Sequence, residues 1–354
     1  MRKILLVGGA GYVGSVLAEE LLERGFAVKI LDRLYYGDDG LREIHDRVEL
    51  VVGDMRVIDP SVLQDVDAVV NLGGLSNDPT AEYNPKANYE MNTTASVQLA
   101  EMCREAGVQR YVFASSCSIY DRGVGNDQSD FVQDETTPVD PRAAYSGSKR
   151  AAEKALLEMA GGDFCPVILR KGTIYGFSHR MRYDLVVNTF VKFALSQGYI
   201  NIHYGGEMWR PLVDVRDVAR AYIATLRADA ELVNGEIFNV SFHNMRISEL
   251  ALRVREALRD VGVEIEIRSD YGYRGVRSYR VSAQKIQHTL NFRPKMTVEE
   301  SVRNMVEQIR QHGYDDFENP KYYNIRWMRL LEEAAKVIAI TGSVFEAPAR
   351  QGDS

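Results

Sequence analysis

The chain has 354 residues, with 43 Lys and Arg against 50 Asp and Glu and a formal charge of −7. That length allows two domains and a core needing no covalent staples, while the negative field argues against nucleic acid or a membrane surface as the main partner. Three cysteines, Cys103, Cys117 and Cys165, contain no C-x-x-C pair; a disulfide framework or a metal site is not expected, and a cytoplasmic location fits. The apolar run after Met1 stops at Gly8, too short for a leader, and no stretch reaches the ~18 apolar residues of a membrane span.

In chain order, apolar runs at Ile4–Val7, Val28–Leu31, Val48–Val51, Ala68–Leu72, Tyr111–Ala114 and Val167–Leu169 predict strands covered on both faces. Helical patterns lie between them. Ser15–Arg24 ends at Gly25, Asn88–Ala106 at Gly107 and Tyr145–Ala160 at Gly161-Gly162. The alternation predicts an α/β fold built on a doubly wound parallel sheet. Beyond about Phe177 the rhythm changes. Leu185–Ser196 and Ser248–Asp260 read as helices, Val213–Arg227 as a strand end and a helix, and Ile237–Val240 and Val263–Arg268 as strands. A dinucleotide-binding domain over 1–177 and a smaller mixed α/β C-terminal lobe over 178–312 are expected, with segments near 211–241 returning to the first sheet.

The remaining 313–354 reads as an extension. Asp315–Pro320 is a linker, and Ile325–Ile340 is a helix whose Trp327, Leu330, Leu331, Ala334, Val337 and Ile338 repeat at i, i+3, i+4, i+7 spacing. That stripe suits packing on its own subunit or a subunit contact.

The first strand runs into Gly8-Gly9-Ala10-Gly11-Tyr12-Val13-Gly14 and then a helix. Gly9, Gly11 and Gly14 satisfy G-x-G-x-x-G; Gly8, Gly11 and Gly14 satisfy G-x-x-G-x-x-G. Either pattern supplies a tight turn in which a pyrophosphate approaches backbone N–H groups at the positive end of a helix. Asp32 ends the second strand, where a carboxylate accepts from an adenine-ribose 2′-OH and repels a 2′-phosphate, so NAD is expected rather than NADP. Arg33 beside it opposes that choice. Asp54 suits either a hydrogen bond to the adenine amine or a turn.

Tyr145 and Lys149 are spaced i, i+4 at the start of a predicted helix, on one face. A phenol of pKa ~10 is a poor base; a neighbouring ammonium stabilises its phenolate and makes proton transfer near neutrality feasible. Ser115-Ser116-Cys117-Ser118 follows a strand, at the sheet end where ligands bind, although serines there also serve turns.

Taken together these motifs resemble the extended short-chain dehydrogenase/reductase family, in particular the NAD-dependent nucleotide-sugar epimerases and dehydratases. The resemblance covers about residues 1–312, through GGAGYVG at 8–14, Asp32, SSCSIY at 115–120, YSGSK at 145–149 and WRPLVDVRDVARA at 209–221. It implies a Rossmann domain, bound NAD and a nucleoside diphosphate-sugar substrate. Tyr145 would be the acid/base, Lys149 would hold the nicotinamide ribose, and Ser116 would orient the sugar oxygen. Gly8, Gly11, Tyr12, Val13, Gly14, Asp32, Asp54, Met55, Leu72, Gly73 and Gly74, with Tyr145 and Lys149, would bind the cofactor. Ser118, Asn188, Arg210 and Arg277 would bind the substrate; the arginine fork suits phosphate oxygens, though outside this context each arginine reads as a solvated charge. The helices near 88–106 and 145–160 would form a homodimer.

Some positions depart from the family pattern. Cys117 and Ser118 stand where 4,6-dehydratases carry Asp-Glu and decarboxylases carry the Glu, so neither chemistry has its carboxylate. Thr173 replaces a frequent Asn, and Pro211-Leu212 an Asp-aromatic pair. The expected activity is therefore redox chemistry at C4 of the sugar, with a 4-epimerase ahead of a 4-dehydrogenase or 4-ketoreductase. A non-catalytic NAD-binding scaffold is the third reading, disfavoured by the intact Ser116, Tyr145 and Lys149 set.

Overall fold

A computed structural model describes residues 2–121, 131–271 and 278–342. Seven parallel strands form the main sheet, in the spatial order Glu236–Val240, Cys165–Lys171, Arg110–Ser116, Ala68–Asn71, Lys3–Val7, Ala27–Asp32, Glu49–Val52. The period of two sorts side chains onto both faces. Leu6, Ile30, Val70, Val112 and Leu169 pack with Leu17, Leu21, Val218 and Tyr222 of the helices Tyr12–Glu23 and Val215–Arg227. Leu5, Leu31, Val69, Phe113 and Ile168 pack with Leu99, Cys103, Ala152 and Leu156 of the helices Ala95–Glu105 and Ala144–Glu158. Strand order reverses between Lys3–Val7 and Ala68–Asn71, which opens a crevice at their carboxyl ends.

Of the chain near 211–241, Glu236–Val240 enters this sheet beside Cys165–Lys171. Trp209–Asp214 instead pairs with Thr173–Tyr175 and with His243–Arg246 in a three-stranded sheet. A second core holds Phe190, Val191, Leu250, Val254, Val302 and Met305. The alternation read over Val263–Arg268 becomes the strand Glu266–Asp270, paired with Tyr199–His203. No helix among the described residues is long and apolar enough to cross a membrane.

Two helices differ from expectation in ways that bear on the site. The single helix expected over 88–106 is interrupted: Pro85–Tyr89 is followed by a π-helical turn at Glu90–Thr94 and then Ala95–Glu105. The wider turn seats Asn92, whose amide donates to Leu75 O (3.0 Å), Asn88 Oδ1 (2.7 Å) and Ser148 Oγ (3.2 Å). One buried amide thereby fastens the loop after Ala68–Asn71 to the helix bearing Tyr145. The extension carries the helix Asn324–Thr341. Its first turns pack on this subunit, whereas Leu330, Val337 and Ile338 remain 43%, 56% and 50% exposed.

Candidate active site

The glycine turn lies at the strand-order reversal. Gly8 has φ +78°, and a Cβ there would approach Gly73 N within 2.9 Å; a Cβ on Gly14 would lie 2.6 Å from Gly9 Cα. These two contacts require glycine, because the turn, the 72–74 loop and the helix start close on one another. Asp32 fixes the turn from below: its carboxylate accepts from the N–H groups of Ala10 (3.0 Å) and Leu34 (2.8 Å). The turn opens into a cleft of about 940 Å³.

Tyr145 and Lys149 share that cleft from the helix Ala144–Glu158, and Ser116 and Ser118 share it from the end of Arg110–Ser116. Tyr145 is 9% exposed and Lys149 4%. Burial lowers the Lys149 amine to about 7, against the opposing pull of Glu153, and the amine lies 4.8 Å from the Phe113 ring centroid. Ser116 Oγ accepts from Ser118 N–H (3.1 Å). Ser118 also lines the cleft, and its Oγ is buried with no hydrogen-bond partner. A buried phenol one helical turn from a buried amine, beside two hydroxyls, is suited to moving a proton to or from an oxygen held there.

The model of the NAD dependent epimerase/dehydratase family matches residues 4–241. The chain belongs to that family. Among curated relatives, a putative UDP-glucose 4-epimerase of Methanocaldococcus jannaschii is 26% identical over 327 residues, spanning 88% of this chain and 99% of that protein. A UDP-N-acetyl-alpha-D-glucosaminuronate decarboxylase of Bacillus cytotoxicus is 24% identical over 323 residues, spanning 88% and 98%. Among solved structures, MoeE5 in complex with UDP-glucuronic acid and NAD superposes with TM-score 0.73 at 26% identity, covering 87% of this chain and 99% of that one.

The cofactor of this epimerase/dehydratase family is NAD, and the residues present fit it. The helix Tyr12–Glu23 starts in the glycine turn with no side-chain cap, so its first N–H groups suit a close-approaching pyrophosphate. Arg33, the residue that opposed NAD in the sequence, is bound to Asp54 at 2.6 Å and stays 47% exposed at the cleft. Asp54 also accepts from the Arg56 guanidinium (2.6 Å) and backbone N–H (2.9 Å), and these bonds hold its carboxyl down at about 2. The turn reading of Asp54 is thus realised, on the cleft wall.

All other cofactor positions named from the sequence, Gly8, Gly11, Tyr12, Val13, Gly14, Met55, Leu72, Gly73 and Gly74, line the cleft, as does Arg210. The Tyr12 hydroxyl itself turns away to donate to Gly176 O (2.7 Å). Asn188 is the exception. It is fully buried outside the cleft lining, its Oδ1 accepting from Gly176 N–H (3.0 Å) and its amide donating to Gly176 O (3.1 Å) and Arg182 O (2.9 Å). These bonds saturate the side chain, so it braces the chain segment and leaves no group for a diphosphate. Arg277 lies outside the described residues.

Sequence reasoning missed Lys171, at the end of Cys165–Lys171, which lines the cleft and donates to Tyr222 Oη (3.2 Å). Burial drives its amine well below the ordinary lysine value, and Lys149 nearby adds to the fall. Its signal was its place at a strand's carboxyl end, the same logic that selected Ser116. Among the described residues, Glu43, His179 and His312 bring three candidate metal ligands within 4.8 Å of one another, away from the cleft lining.

Beneath the site lies a buried polar network. Glu153, one turn beyond Lys149, receives both arms of Arg170 (2.9 and 2.7 Å) and the Ser115 hydroxyl (2.5 Å). Arg170 continues to Tyr120 Oη (2.8 Å), which donates to Asn239 Oδ1 (2.9 Å). This ties the helix of Tyr145 and Lys149 to three strands. Glu153→Ala would leave the Arg170 charge buried and unpaired, at a cost of about 3–5 kcal/mol. Denaturant unfolding should show that loss, and Arg170→Ala should show a similar one.

Proposed function

We propose that the protein is an epimerase acting at C4 of a nucleoside diphosphate-sugar. The observation that carries this reading is the convergence of Tyr145, Lys149, Ser116 and Ser118 on the cleft that holds the glycine turn. Tyr145, as phenolate, takes the proton of the C4 hydroxyl and later returns one. The Lys149 ammonium stabilises that phenolate, and the Ser116 and Ser118 hydroxyls orient the sugar oxygen. NAD, when bound, would supply the acceptor and then the donor of the C4 hydride. Return to the opposite face of a rotated 4-keto sugar inverts the centre. Arg210 would grip the diphosphate. The M. jannaschii relative, a putative UDP-glucose 4-epimerase, and MoeE5, crystallised with UDP-glucuronic acid and NAD, support the substrate class.

Elimination and decarboxylation fit less well. Cys117 is fully buried and donates to Arg170 O (3.1 Å), its thiol raised far above the ordinary value by burial, and Ser118 carries only a hydroxyl. A cytoplasmic homodimer, formed through the helices within 85–105 and 144–158, completes the proposal; the three cysteines are free and buried, as suits a reducing compartment. Light scattering should give twice the chain mass. The deciding assay incubates the purified protein with a panel of nucleoside diphosphate-sugars, following NADH absorbance and product stereochemistry. Interconversion of C4 epimers without net NADH is expected. Lasting NADH accumulation would replace this reading with a 4-dehydrogenase.

A further inference from the structure

The extension enters the cleft. The relatives described above cover 87–88% of this chain but 98–99% of their own lengths, so part of this chain has no counterpart in them. Asn324 and Met328, at the start of the extension's helix, line the same cleft as the glycine turn. The helix is fastened there by the Trp327 indole N–H bonded to Tyr35 O and by Glu332 bonded to Tyr83 Oη. Asn324 is 5% exposed and is a junction. Its amide donates to Ser76 Oγ (2.8 Å), its backbone N–H to Asp184 Oδ2 (3.4 Å), and its Oδ1 accepts from Arg180 Nη2 (2.6 Å).

Arg180 is the unusual member. It is 6% exposed and stacked 3.7 Å from the Tyr36 ring centroid, yet Nε and Nη1 have no partner. Its neighbour Arg182 is equally buried but satisfied, with Nε and Nη2 on the Asp184 carboxylate at 2.8 and 2.9 Å. A desolvated guanidinium with two unmade hydrogen bonds is costly unless an anion arrives. Its position indicates which anion. A Cβ on Gly40 would lie 2.8 Å from Ala10 O and 3.0 Å from Arg180 Cβ, so the stem of Arg180 is one residue's width from the glycine turn.

We infer that the C-terminal extension is part of the cofactor site: Asn324 presents Arg180 to a phosphate of the dinucleotide, opposite the backbone N–H groups of the glycine turn. Nε and Nη1 lie on different edges of the guanidinium, so each has its own hydrogen bond to offer a phosphate oxygen while Nη2 stays on Asn324. The inference rests on the NAD reading of this cleft and adds a ligand to it from outside the glycine motif. It also makes release of the cofactor depend on movement of the extension.

Calorimetric titration of the full-length protein with NAD, ADP, adenosine and UDP tests it. Arg180→Gln is expected to weaken NAD and ADP by about 10- to 100-fold, as loss of a charge-assisted contact does, and to leave adenosine and UDP unchanged. Asn324→Ala is expected to give a smaller loss with the same ligand pattern. Arg180→Lys, which keeps the charge without the fork, should fall between parent and Arg180→Gln; with Asn324→Ala it carries the test if Arg180→Gln does not fold. Binding of NAD and ADP within twofold of the parent in the folded variants would overturn the inference. So would equal loss for adenosine, which signals distortion, or loss confined to UDP, which assigns Arg180 to the substrate. Failure of the parent itself to bind NAD would overturn the cofactor reading instead.

Discussion

Replacing Tyr145 with Phe is expected to lower kcat by about 10²- to 10⁴-fold, the usual contribution of a positioned acid/base, while NAD still binds. The side chain is 9% exposed in the wall of the cleft, so the ring that fills its place is retained and only the hydroxyl is lost. Stopped assays for the epimerised sugar, together with bound NAD measured by absorbance, check both halves. Activity within threefold of the parent would return the chain to the scaffold reading and remove proton transfer by residue 145 from the mechanism.

The parts of this architecture that repeat locally were legible in the sequence. The two-residue period of Ile4–Val7 or Tyr111–Ala114, the glycines at 8–14 and the i, i+4 pair at 145 and 149 each state their geometry within one element. What stayed hidden depends on distant residues. Asn188 sits in a stretch that reads as substrate-facing, but its orientation is decided by Gly176 and Arg182. The π-turn at Glu90–Thr94 is set by Leu75 and Ser148, one before and one well beyond it. Arg180 looks like one more surface charge until Tyr36 and Asn324, 144 positions apart in the case of Asn324, enclose it. Hydropathy patterning reports which face of an element is buried; it carries no term for which polar groups meet there.

Lys149→Met should separate function from stability in opposite directions. Without the ammonium, the Tyr145 phenolate loses the cation that favours it, and turnover near neutrality should fall at least as far as in Tyr145→Phe. The folded protein should nevertheless become more stable. The Lys149 amine falls from 10.5 to about 7 on folding, chiefly because burial disfavours its charge. Between those values the unfolded chain holds a proton that the folded chain has shed, so this group makes stability rise with pH across that window. Below pH about 7 the full cost of burying the charge is present, at most on the order of 5 kcal/mol. Methionine occupies a similar volume against the Phe113 ring without that charge, and Glu153 keeps Arg170 and Ser115 as partners. Calorimetric melting should therefore place the variant several degrees above the parent near pH 6, with the gap closing as pH approaches 10. A variant that melts lower near pH 6, or a gap that does not change with pH, would mean that packing rather than chemistry accounts for the lysine. A gain in stability that accompanies loss of turnover is the mark of a charge kept in a dry place for what it does to the neighbouring phenol.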